Sequence, residues 1–368
     1  MKKILFFIDT LGHGGAEKVM INLVNNLNKE KYDITVMTIF DCGVNKKYLD
    51  KGIKYKYIFK RVFRGNVTLC KCFTPEFLYR HIIKDRYDTL IAYLEGNTTR
   101  ILSGCHDKGI KKLAWIHVEM SAKTLFRAYR SKAECIKAYR GFDKIVGVSR
   151  TVLDSFENNT GTWDNLCVRY NTVETEYITE RSHEPIADIE MPKEELKLVT
   201  VGRLIEQKSY LRLLRIHKRL LENHIYHKLY IIGEGEQERL LREYIRDNKL
   251  ENTAFLLGFK ENPWKYVKKA DLFVCSSWKE GFSTAVTESL IAGTPVVTTL
   301  CSGMKEMLGE SEYGLIVENE EQALYEGIRK LLTDENLLQY YKNMAVERGK
   351  QFDTKTTVRK VEELLDEE

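Results

Sequence analysis

The sequence predicts an α/β protein built from two doubly wound, Rossmann-like domains. Its 368 residues exceed the size at which a single hydrophobic core stops growing. In both halves, short apolar runs alternate with helical patterns, which is typical of parallel sheets covered by helices on both faces. A polar stretch around residues 171–195 separates the halves. We therefore expect two domains that face each other across a deep cleft, with ligands bound at the carboxyl ends of the strands.

The first half carries the regular succession of signals that this fold requires. The apolar run at residues 4–8 predicts a strand, and residues 16–27 predict a helix because Val19, Leu23 and Leu27 fall on one face. Further strands are predicted at residues 34–39, 89–93, 113–117 and 144–148, with helical stretches around 76–84, 97–106 and 122–140. We assign residues 1–175 to an N-terminal domain and residues 176–195 to a linker.

The same succession resumes in the second half. Strands are predicted at residues 196–201, 228–232, 254–257, 272–275 and 295–298, again with helical spacing between them. We assign residues 196–349 to a C-terminal domain. The last helix, predicted over residues 353–366, has no strand after it, and residues 350–368 are expected to pack back towards the N-terminal domain.

Charge is divided unevenly along the chain. Residues 1–170 hold 30 Lys and Arg against 17 Asp and Glu, and the remainder holds 28 against 36. The basic half is expected to meet an anionic partner, such as a membrane surface, a phosphorylated acceptor or nucleic acid, unless it is simply a solvated surface. No segment approaches the roughly 20 apolar residues of a spanning helix, so any membrane contact is expected to be peripheral.

Several classes of protein lack support in the sequence. The G-x-S-x-G turn of Ser-His-Asp hydrolases is absent, and so is the phosphate-binding loop G-x-x-x-x-G-K-[ST]. The eight cysteines show no zinc-binding spacing, so no metal site is expected. Scattered thiols in a large chain fit a reducing cytoplasm.

The most informative stretch is EGFSTAVTE at residues 280–288, which has a carboxylate at each end. It lies between a buried apolar run and a helical pattern, so it predicts the turn from a strand into a helix. Unpaired N–H groups at a helix start suit a phosphate or a polyhydroxy ligand. Glu280 and Glu288 could accept hydrogen bonds from hydroxyls at two places on an extended ligand, such as a sugar joined through phosphates to a ribose.

Two other motifs at strand ends favour an anionic ligand. Arg203 and Lys208 follow a predicted strand and combine a planar guanidinium with an ammonium near a helix start, which suits phosphate. Gly14 and Gly15 open the first helix in a turn whose backbone can approach an anion closely. A dinucleotide fingerprint is broken there, because Glu17 stands where that motif needs glycine. A purely structural glycine turn is the alternative.

Three more candidates also follow predicted strands. Gly233 and Glu234 form a glycine-punctuated strand end, and Phe259 with Lys260 forms another, where the ring could cover a base or simply pack. His117 ends a strand of the first half and is expected to face the cleft, although a lone histidine is as readily a structural group.

Taken in order, these motifs resemble family 4 of the retaining glycosyltransferases, whose fold is GT-B. The resemblance covers nearly the whole chain, and the E-x7-E element at residues 280–288 is its most specific part. The other matching motifs are Gly14-Gly15-Ala16-Glu17, Val201-Gly202-Arg203 with Lys208, and Gly233-Glu234-Gly235.

The resemblance implies a role for each motif in the C-terminal domain. Arg203 and Lys208 would hold the donor diphosphate and stabilise its charge as it leaves. Glu280 would bind hydroxyls of the donor sugar, and Glu288 would bind the ribose. The rest of the implied donor-binding set is Gly233, Glu234, Phe259, Lys260, and the stretch Gly281, Phe282, Ser283 and Thr284 along the sugar and phosphate.

The N-terminal domain would contribute from the opposing side. Gly14 and Gly15 would approach the diphosphate or the acceptor, and His117 would lie near the sugar and the reaction centre. The implied catalytic set is therefore His117, Arg203, Lys208 and Glu280.

The predicted function is retaining, metal-independent transfer of a hexose or N-acetylhexosamine from a nucleotide sugar, with UDP as the expected nucleotide. The expected acceptor is a lipid-linked glycan in cell-surface polysaccharide or glycoconjugate biosynthesis, at the inner face of the cell membrane. No cofactor and no nucleic-acid partner are expected, and the basic N-terminal domain would contact anionic membrane. The alternatives are a nucleotide-sugar epimerase or phosphorylase of the same fold, and a non-catalytic nucleotide-sugar-binding protein.

Overall fold

The chain forms two compact α/β units. The computed structural model describes residues 1–12 and 14–367, so His13 of the glycine turn lies outside the described residues. The N-terminal unit comprises Met1–Thr172 and Thr354–Glu368, and the C-terminal unit comprises Val173–Asp353. The boundary at residues 172 and 173 falls before the predicted linker, which belongs to the C-terminal unit.

The N-terminal unit is built on a seven-stranded parallel sheet in the order β3-β2-β1-β4-β5-β6-β7. Its strands are β1 (Lys2–Ile8), β2 (Tyr32–Phe40), β3 (Lys54–Phe59), β4 (Thr89–Ala92), β5 (Lys111–Ile116), β6 (Lys144–Gly147) and β7 (Leu166–Val168). Its helices are α1 (Gly15–Asn26), α2 (Asn66–Cys72), α3 (Pro75–Ile82), α4 (Asn97–Leu102), α5 (Ala122–Leu125), α6 (Lys132–Arg140) and α7 (Arg150–Thr160).

The C-terminal unit is built on a six-stranded parallel sheet in the order β10-β9-β8-β11-β12-β13. Its strands are β8 (Lys197–Val201), β9 (Lys228–Ile232), β10 (Ala254–Leu256), β11 (Leu272–Cys275), β12 (Val296–Thr299) and β13 (Leu315–Val317). Its helices are α8 (Thr175–Ser182), α9 (Tyr210–Glu222), α10 (Glu238–Asp247), α11 (Trp264–Lys269), α12 (Thr284–Ile291), α13 (Met304–Leu308), α14 (Glu321–Thr333) and α15 (Glu335–Gly349). The predicted fold class, with two doubly wound parallel sheets, is confirmed.

Strand order reverses once in each sheet. In the N-terminal unit β1 lies between β2 and β4, so the chain turns one way after β1 and the other way before β4. In the C-terminal unit β8 lies between β9 and β11 in the same manner. Loops that leave neighbouring strands in opposite directions open a crevice at the carboxyl edge, where ligands of such sheets bind.

The predicted linker contains a helix. Helix α8 packs through Ile178 against Val173 and Trp264, and the segment after it is tied down where Asn262 Nδ2 donates to Glu184 Oε2 at 2.8 Å. The segment is polar in composition, and for this reason the helix was not predicted. A short helix needs only a narrow apolar stripe to pack against a domain that already has its own core.

The last helix, α16 (Thr354–Asp366), belongs to the N-terminal unit and packs against α1. Its carboxyl end meets lysines from the start of the sheet, since Lys111 Nζ donates to the Leu364 carbonyl at 2.7 Å and Lys2 Nζ donates to that of Leu365. Cations at a helix carboxyl end satisfy unpaired carbonyls and complement the helix dipole. Among the helices in residues 1–12 and 14–367, none is both long enough and apolar enough to cross a bilayer.

Candidate functional site

The crevice between β8 and β11 in the C-terminal unit holds an ion pair between a partly buried lysine and a buried glutamate. Lys208 follows β8, Glu280 follows β11, and Lys208 Nζ lies 2.6 Å from Glu280 Oε1. The Ser277 hydroxyl donates to the same oxygen at 2.5 Å. These groups line a small pocket at the carboxyl edge of the sheet, together with Ser283 and Thr200. The reversal of strand order therefore brings together two of the residues that the sequence singled out.

Lys208 is held in its charged form. Burial is the largest single influence and would by itself lower the pKa of its ammonium, but the Glu280 carboxylate together with Tyr210 and Cys275 outweighs burial and raises the pKa above the usual range. A fixed ammonium beside an acceptor oxygen can bind a phosphate and a hydroxyl at adjacent points. The pair is thus suited to a ligand that carries both groups.

The loop from β11 to Glu280 is clamped by a buried arginine. Arg212 donates to the Ser276 carbonyl, and its guanidinium lies 3.7 Å from the ring centroid of Trp278. Asn319 Nδ2 donates to the Trp278 carbonyl at 2.9 Å, and Thr299 Oγ1 donates to the Ser277 carbonyl at 2.7 Å. The carbonyls of this loop are therefore satisfied one by one, which fixes the position of Ser277 and hence of Glu280.

Glycines allow the strand ends beside this pocket to approach one another. A Cβ atom at Gly233 would lie 2.0 Å from the Gly202 carbonyl oxygen, and one at Gly235 would lie 2.4 Å from the Leu204 carbonyl oxygen. Real side chains never approach so closely, so any other residue would push β8 and β9 apart. Glu234, which lies between these two glycines, accepts a hydrogen bond from the Phe259 backbone N–H at 3.3 Å. This bond joins two predicted site residues.

The second carboxylate of the E-x7-E element is oriented by a tryptophan. Glu288 lies within α12, and its Oε2 accepts a hydrogen bond from the Trp264 indole N–H at 2.7 Å. Both side chains are buried, and helix α8 covers Trp264. A charge-assisted bond of this kind fixes the rotamer of a carboxylate and directs it.

The residues between the two carboxylates pack closely around the turn into α12. Phe282 is buried and packs beside Gly303, where a Cβ atom would also lie 2.6 Å from the Gly281 carbonyl. Ser283 is the N-cap of α12, which starts at Thr284, and its side chain makes no capping hydrogen bond. Ser283 also lines the Lys208 pocket.

Three predicted site residues stand apart from the ion pair. Arg203 is exposed, and no salt bridge among the described residues involves it. Phe259 is 53% exposed. Lys260 is engaged by Asp188, since Nζ lies 2.5 Å from Asp188 Oδ2, a contact with the predicted linker that the sequence did not suggest.

In the N-terminal unit, the predicted glycine turn leads into α1. Gly14 is its N-cap and Gly15 its first residue. A Cβ atom at Gly14 would lie 1.9 Å from Glu17 Oε2, which is the end of a flexible side chain, and the backbone φ of Gly14 is −76°, so neither the space nor the backbone requires glycine there. The carboxylate of Glu17 thus lies against the helix start to which the sequence analysis assigned an anion.

His117 lies in a buried polar cluster at the other reversal of strand order. It follows β5, Glu95 follows β4, and Asp9 directly follows β1. The His117 backbone N–H donates to Glu95 Oε2 at 3.3 Å, and the imidazole packs against Tyr93 with ring centroids 4.9 Å apart. Two atoms of this cluster, Asp9 Oδ1 and His117 Nε2, are buried without a hydrogen-bond partner among the described residues.

Burial shifts all three groups towards their neutral forms. It raises the pKa of Glu95 to about 7 and that of Asp9 to about 6, and in each case a nearby carboxylate raises it further. Burial also lowers the pKa of His117 to about 4, against a hydrogen bond to the Tyr93 backbone that raises it. Unpaired buried polar atoms are costly, and shifted pKa values of this kind occur preferentially at functional sites.

Five residues of these two sites were not predicted from the sequence: Asp9, Glu95, Ser277, Arg212 and Trp264. Asp9 and Glu95 carry the signal that identified His117, since each stands just beyond the carboxyl end of a predicted strand. Ser277, Arg212 and Trp264 act through contacts between segments that are distant in sequence, so no local pattern predicts their roles.

Two parallel-sheet α/β units of this topology define a GT-B protein. The model of "Glycosyl transferases group 1" matches residues 183–348, and that of "Glycosyltransferase Family 4" matches residues 13–177. A Campylobacter jejuni protein named N-acetylgalactosamine-N,N'-diacetylbacillosaminyl-diphospho-undecaprenol 4-alpha-N-acetylgalactosaminyltransferase is 30% identical over 96% of both chains. The chain therefore belongs to glycosyltransferase family 4, as the sequence motifs predicted.

Other similar proteins agree with this assignment. A second Campylobacter jejuni enzyme, named as an alpha-1,4-N-acetyl-D-galactosaminyltransferase that acts on a diphospho-undecaprenol-linked glycan, is 26% identical over 96% of this chain and 95% of its own. The structure of Anabaena HepE in complex with UDP and glucose matches all of both chains with a TM-score of 0.78 at 18% identity. Staphylococcus aureus TarM matches with a TM-score of 0.74 at 16% identity over all of both chains. These last two similarities concern the fold.

The ion pair gives a first prediction. Lys208→Met leaves the Glu280 carboxylate buried without its counter-charge, and we expect a loss of about 3 to 5 kcal/mol in the free energy of unfolding. The double variant Lys208→Met/Glu280→Gln should recover most of that loss, because neither remaining group is charged. Urea unfolding of the two variants and the wild type measures this. Equal losses in the single and double variants would show that the charge is not buried as described.

A second prediction concerns Glu95. Its pKa is about 7 in the folded chain and near 4.5 when unfolded, so the folded state holds a proton that the unfolded state releases between these values. The stability that this group contributes is present below about pH 4.5 and is lost as pH rises through 7. At pH 8, Glu95→Gln should therefore be more stable than the wild type by up to about 3 kcal/mol, and the gain should vanish near pH 4. Unfolding midpoints across this range test the prediction, with the exposed Glu30→Gln as control; parallel curves for the wild type and Glu95→Gln would contradict it.

Proposed function

We propose that this glycosyltransferase moves a hexose or N-acetylhexosamine from a UDP-sugar to a lipid-linked glycan, with retention of the anomeric configuration. The observation that carries the proposal is the Lys208–Glu280 pair at the β8/β11 crevice, which offers one fixed cation and one fixed hydroxyl acceptor. The names of two Campylobacter relatives support a lipid-linked acceptor, and the ligands of Anabaena HepE support a UDP-sugar donor.

Each candidate site residue of the C-terminal unit has a role in the proposed reaction. Lys208 and the exposed Arg203 neutralise the diphosphate as it departs, Glu280 holds a donor hydroxyl, and Glu288, oriented by Trp264, accepts from the ribose. Preorganised charges of this kind stabilise a leaving group without rearrangement at the moment of reaction. Phe259 is available to cover the base, next to the Glu234 contact.

The bond changes balance within donor and acceptor. The bond from the sugar C1 to the diphosphate oxygen breaks, and a bond from C1 to the acceptor oxygen forms on the same face. The acceptor proton passes to the departing diphosphate oxygen. The cluster of the N-terminal unit, with His117, would hold hydroxyls of the acceptor glycan through Nε2, which is buried without a hydrogen-bond partner among the described residues.

The charge distribution supports the proposed acceptor and cellular site. The basic N-terminal half, with 30 Lys and Arg against 17 Asp and Glu in residues 1–170, would contact anionic membrane at its cytoplasmic face. A lipid-linked glycan in cell-surface polysaccharide or glycoconjugate synthesis is available there.

A third prediction tests the donor and the stereochemistry. UDP-sugars, rather than GDP- or ADP-sugars, should raise the thermal unfolding midpoint in proportion to their occupancy. Arg203→Met should weaken UDP binding by roughly tenfold to a hundredfold, because it removes one charge-assisted contact, while Arg239→Met, which alters another exposed arginine of the same unit, should not. NMR of the sugar released slowly from donor alone should detect the α-anomer first from an α-linked donor. Isomerised donor or inverted sugar would refute the proposed reaction, and unchanged binding in Arg203→Met would refute the proposed site.

A fourth prediction concerns metal removal. Lys208 and Arg203 supply the positive charge that a divalent cation would otherwise provide, so transfer and UDP binding should be unchanged after treatment with EDTA. Calorimetry of UDP binding with and without added Mg²⁺ gives a second readout. A loss of affinity that Mg²⁺ restores would assign the diphosphate to a metal and contradict the proposal.

A further inference from the structure

Exposed apolar side chains are concentrated in one region of the N-terminal unit. Of the eighteen large hydrophobic side chains that are exposed among the described residues, eight lie within residues 44–77. They include Val62, Leu69, Phe73 and Phe77, which are 58%, 44%, 39% and 43% exposed. Single exposed apolar residues are ordinary, but a cluster of them marks a surface that meets another phase or partner.

The same region is strongly basic. Within it, residues 60–77 contain four Lys and Arg against one Asp or Glu. The loop that follows β3 reads Lys-Arg-Val-Phe-Arg, and its cations Lys60, Arg61 and Arg64 are all exposed. No salt bridge among the described residues involves these three. Their charge is therefore available to an anionic partner.

An aromatic cluster anchors this loop from below. The Phe63 ring meets those of Phe59 and Phe40 edge-on, at centroid distances of 5.3 and 5.8 Å. Asn66 Nδ2 donates to the Phe63 carbonyl at 2.7 Å and joins the loop to α2. Val62 is thus exposed at the tip of a loop that is fixed on both sides.

A buried arginine anchors the far end of α2. Arg100 is fully buried, and its Nη atoms donate to the carbonyls of Cys70 at 2.6 Å and Phe73 at 2.8 Å. Its charge is paired with Glu134 at 2.8 Å. The outer side of α2 and the start of α3 therefore present their apolar side chains from a fixed backbone.

The topology positions this face beside the N-terminal polar cluster. Strand β3 ends at Phe59, so the loop leaves the carboxyl edge of the sheet. Asp9, Glu95 and His117 follow strands at the same edge. A partner surface bound to this face would therefore lie next to the carboxyl edge of the N-terminal sheet, where the acceptor is proposed to bind.

We propose that residues 60–77 form a docking face for an anionic lipid bilayer, with Val62, Leu69, Phe73 and Phe77 inserted into the interface and Lys60, Arg61 and Arg64 on the lipid phosphates. Apolar insertion and cationic attraction together are what a peripheral protein needs for stable membrane binding. A nucleic acid would satisfy the cations but would leave the apolar side chains uncovered. The inference rests on the proposed function only for its purpose, which is to bring the enzyme to a membrane-borne acceptor.

Flotation of the full chain with lipid vesicles tests the proposal. The wild type should float with vesicles of phosphatidylcholine that contain about one third phosphatidylglycerol, and far less with phosphatidylcholine alone. The variant Lys60→Glu/Arg61→Glu/Arg64→Glu should bind the anionic vesicles more weakly by roughly a hundredfold or more, since each lost cation removes roughly fivefold. Val62→Asp/Leu69→Asp should also lose binding, and added salt should not restore it.

The matched control reverses three other exposed lysines of the same unit. Lys51, Lys84 and Lys108 precede β3, β4 and β5, so they lie at the opposite edge of the sheet. The variant Lys51→Glu/Lys84→Glu/Lys108→Glu has the same net charge as the loop variant and should keep most of the binding. Equal losses in the two triple variants would reduce the effect to net charge and overturn the proposal, as would absence of wild-type flotation or retention of binding by both face variants.

Donor binding separates this proposal from the enzymatic one. All variants should keep the wild-type thermal midpoint and the midpoint shift with UDP, because none of the changed residues lies in the C-terminal unit. Flotation without a UDP shift would support the docking face and contradict the donor site. A UDP shift without flotation would do the reverse.

Discussion

The reversal of strand order at the centre of each parallel sheet is the constraint on which both sites depend. Because β8 is flanked by β9 and β11, the loops after β8 and β11 leave in opposite directions and leave room between them. Lys208 and Glu280 fill that room, 72 residues apart in sequence and 2.6 Å apart in space. The N-terminal sheet repeats the arrangement, with Asp9 and Glu95 after β1 and β4. One topological rule therefore accounts for two polar sites in otherwise apolar domains.

The two crevices meet the cost of burying charge in different ways. In the C-terminal unit, Lys208 and Glu280 neutralise each other, and Ser277 adds a hydrogen bond to the shared oxygen. Among the described residues of the N-terminal unit no cation offsets Asp9 and Glu95, so burial shifts both carboxyls towards the protonated form. A compensated pair keeps a fixed charge for a charged ligand, whereas protonated carboxyls can donate as well as accept hydrogen bonds. The first chemistry suits a diphosphate, and the second suits sugar hydroxyls.

Features that depend on local patterns in the sequence could be predicted, whereas features that depend on contacts between distant segments could not. The central strands were predictable because they are continuous apolar runs. The four edge strands are only partly buried, and of these β10 was predicted whereas β3, β7 and β13 were missed. Glu280 and Glu288 stood out through spacing within one turn and helix. Trp264, which orients Glu288 from another helix, gave no local sign. Helix α8 was taken for linker because its composition is polar and its docking surface is supplied by the rest of the unit.

The unpaired atoms of the N-terminal cluster are better understood as features of a binding site than as defects of packing. Asp9 Oδ1 and His117 Nε2 are both buried without partners among the described residues, and each unpaired group costs on the order of 1 to 3 kcal/mol. Packing of Tyr93 against Trp115 and His117 holds the cluster in this arrangement despite the cost. A ligand hydroxyl can donate to one such atom and accept from a protonated neighbour, so that binding recovers the free energy that folding left uncompensated. A molecule with several adjacent hydroxyls is the kind of ligand that uses such a cluster fully, and a glycan acceptor has that chemistry.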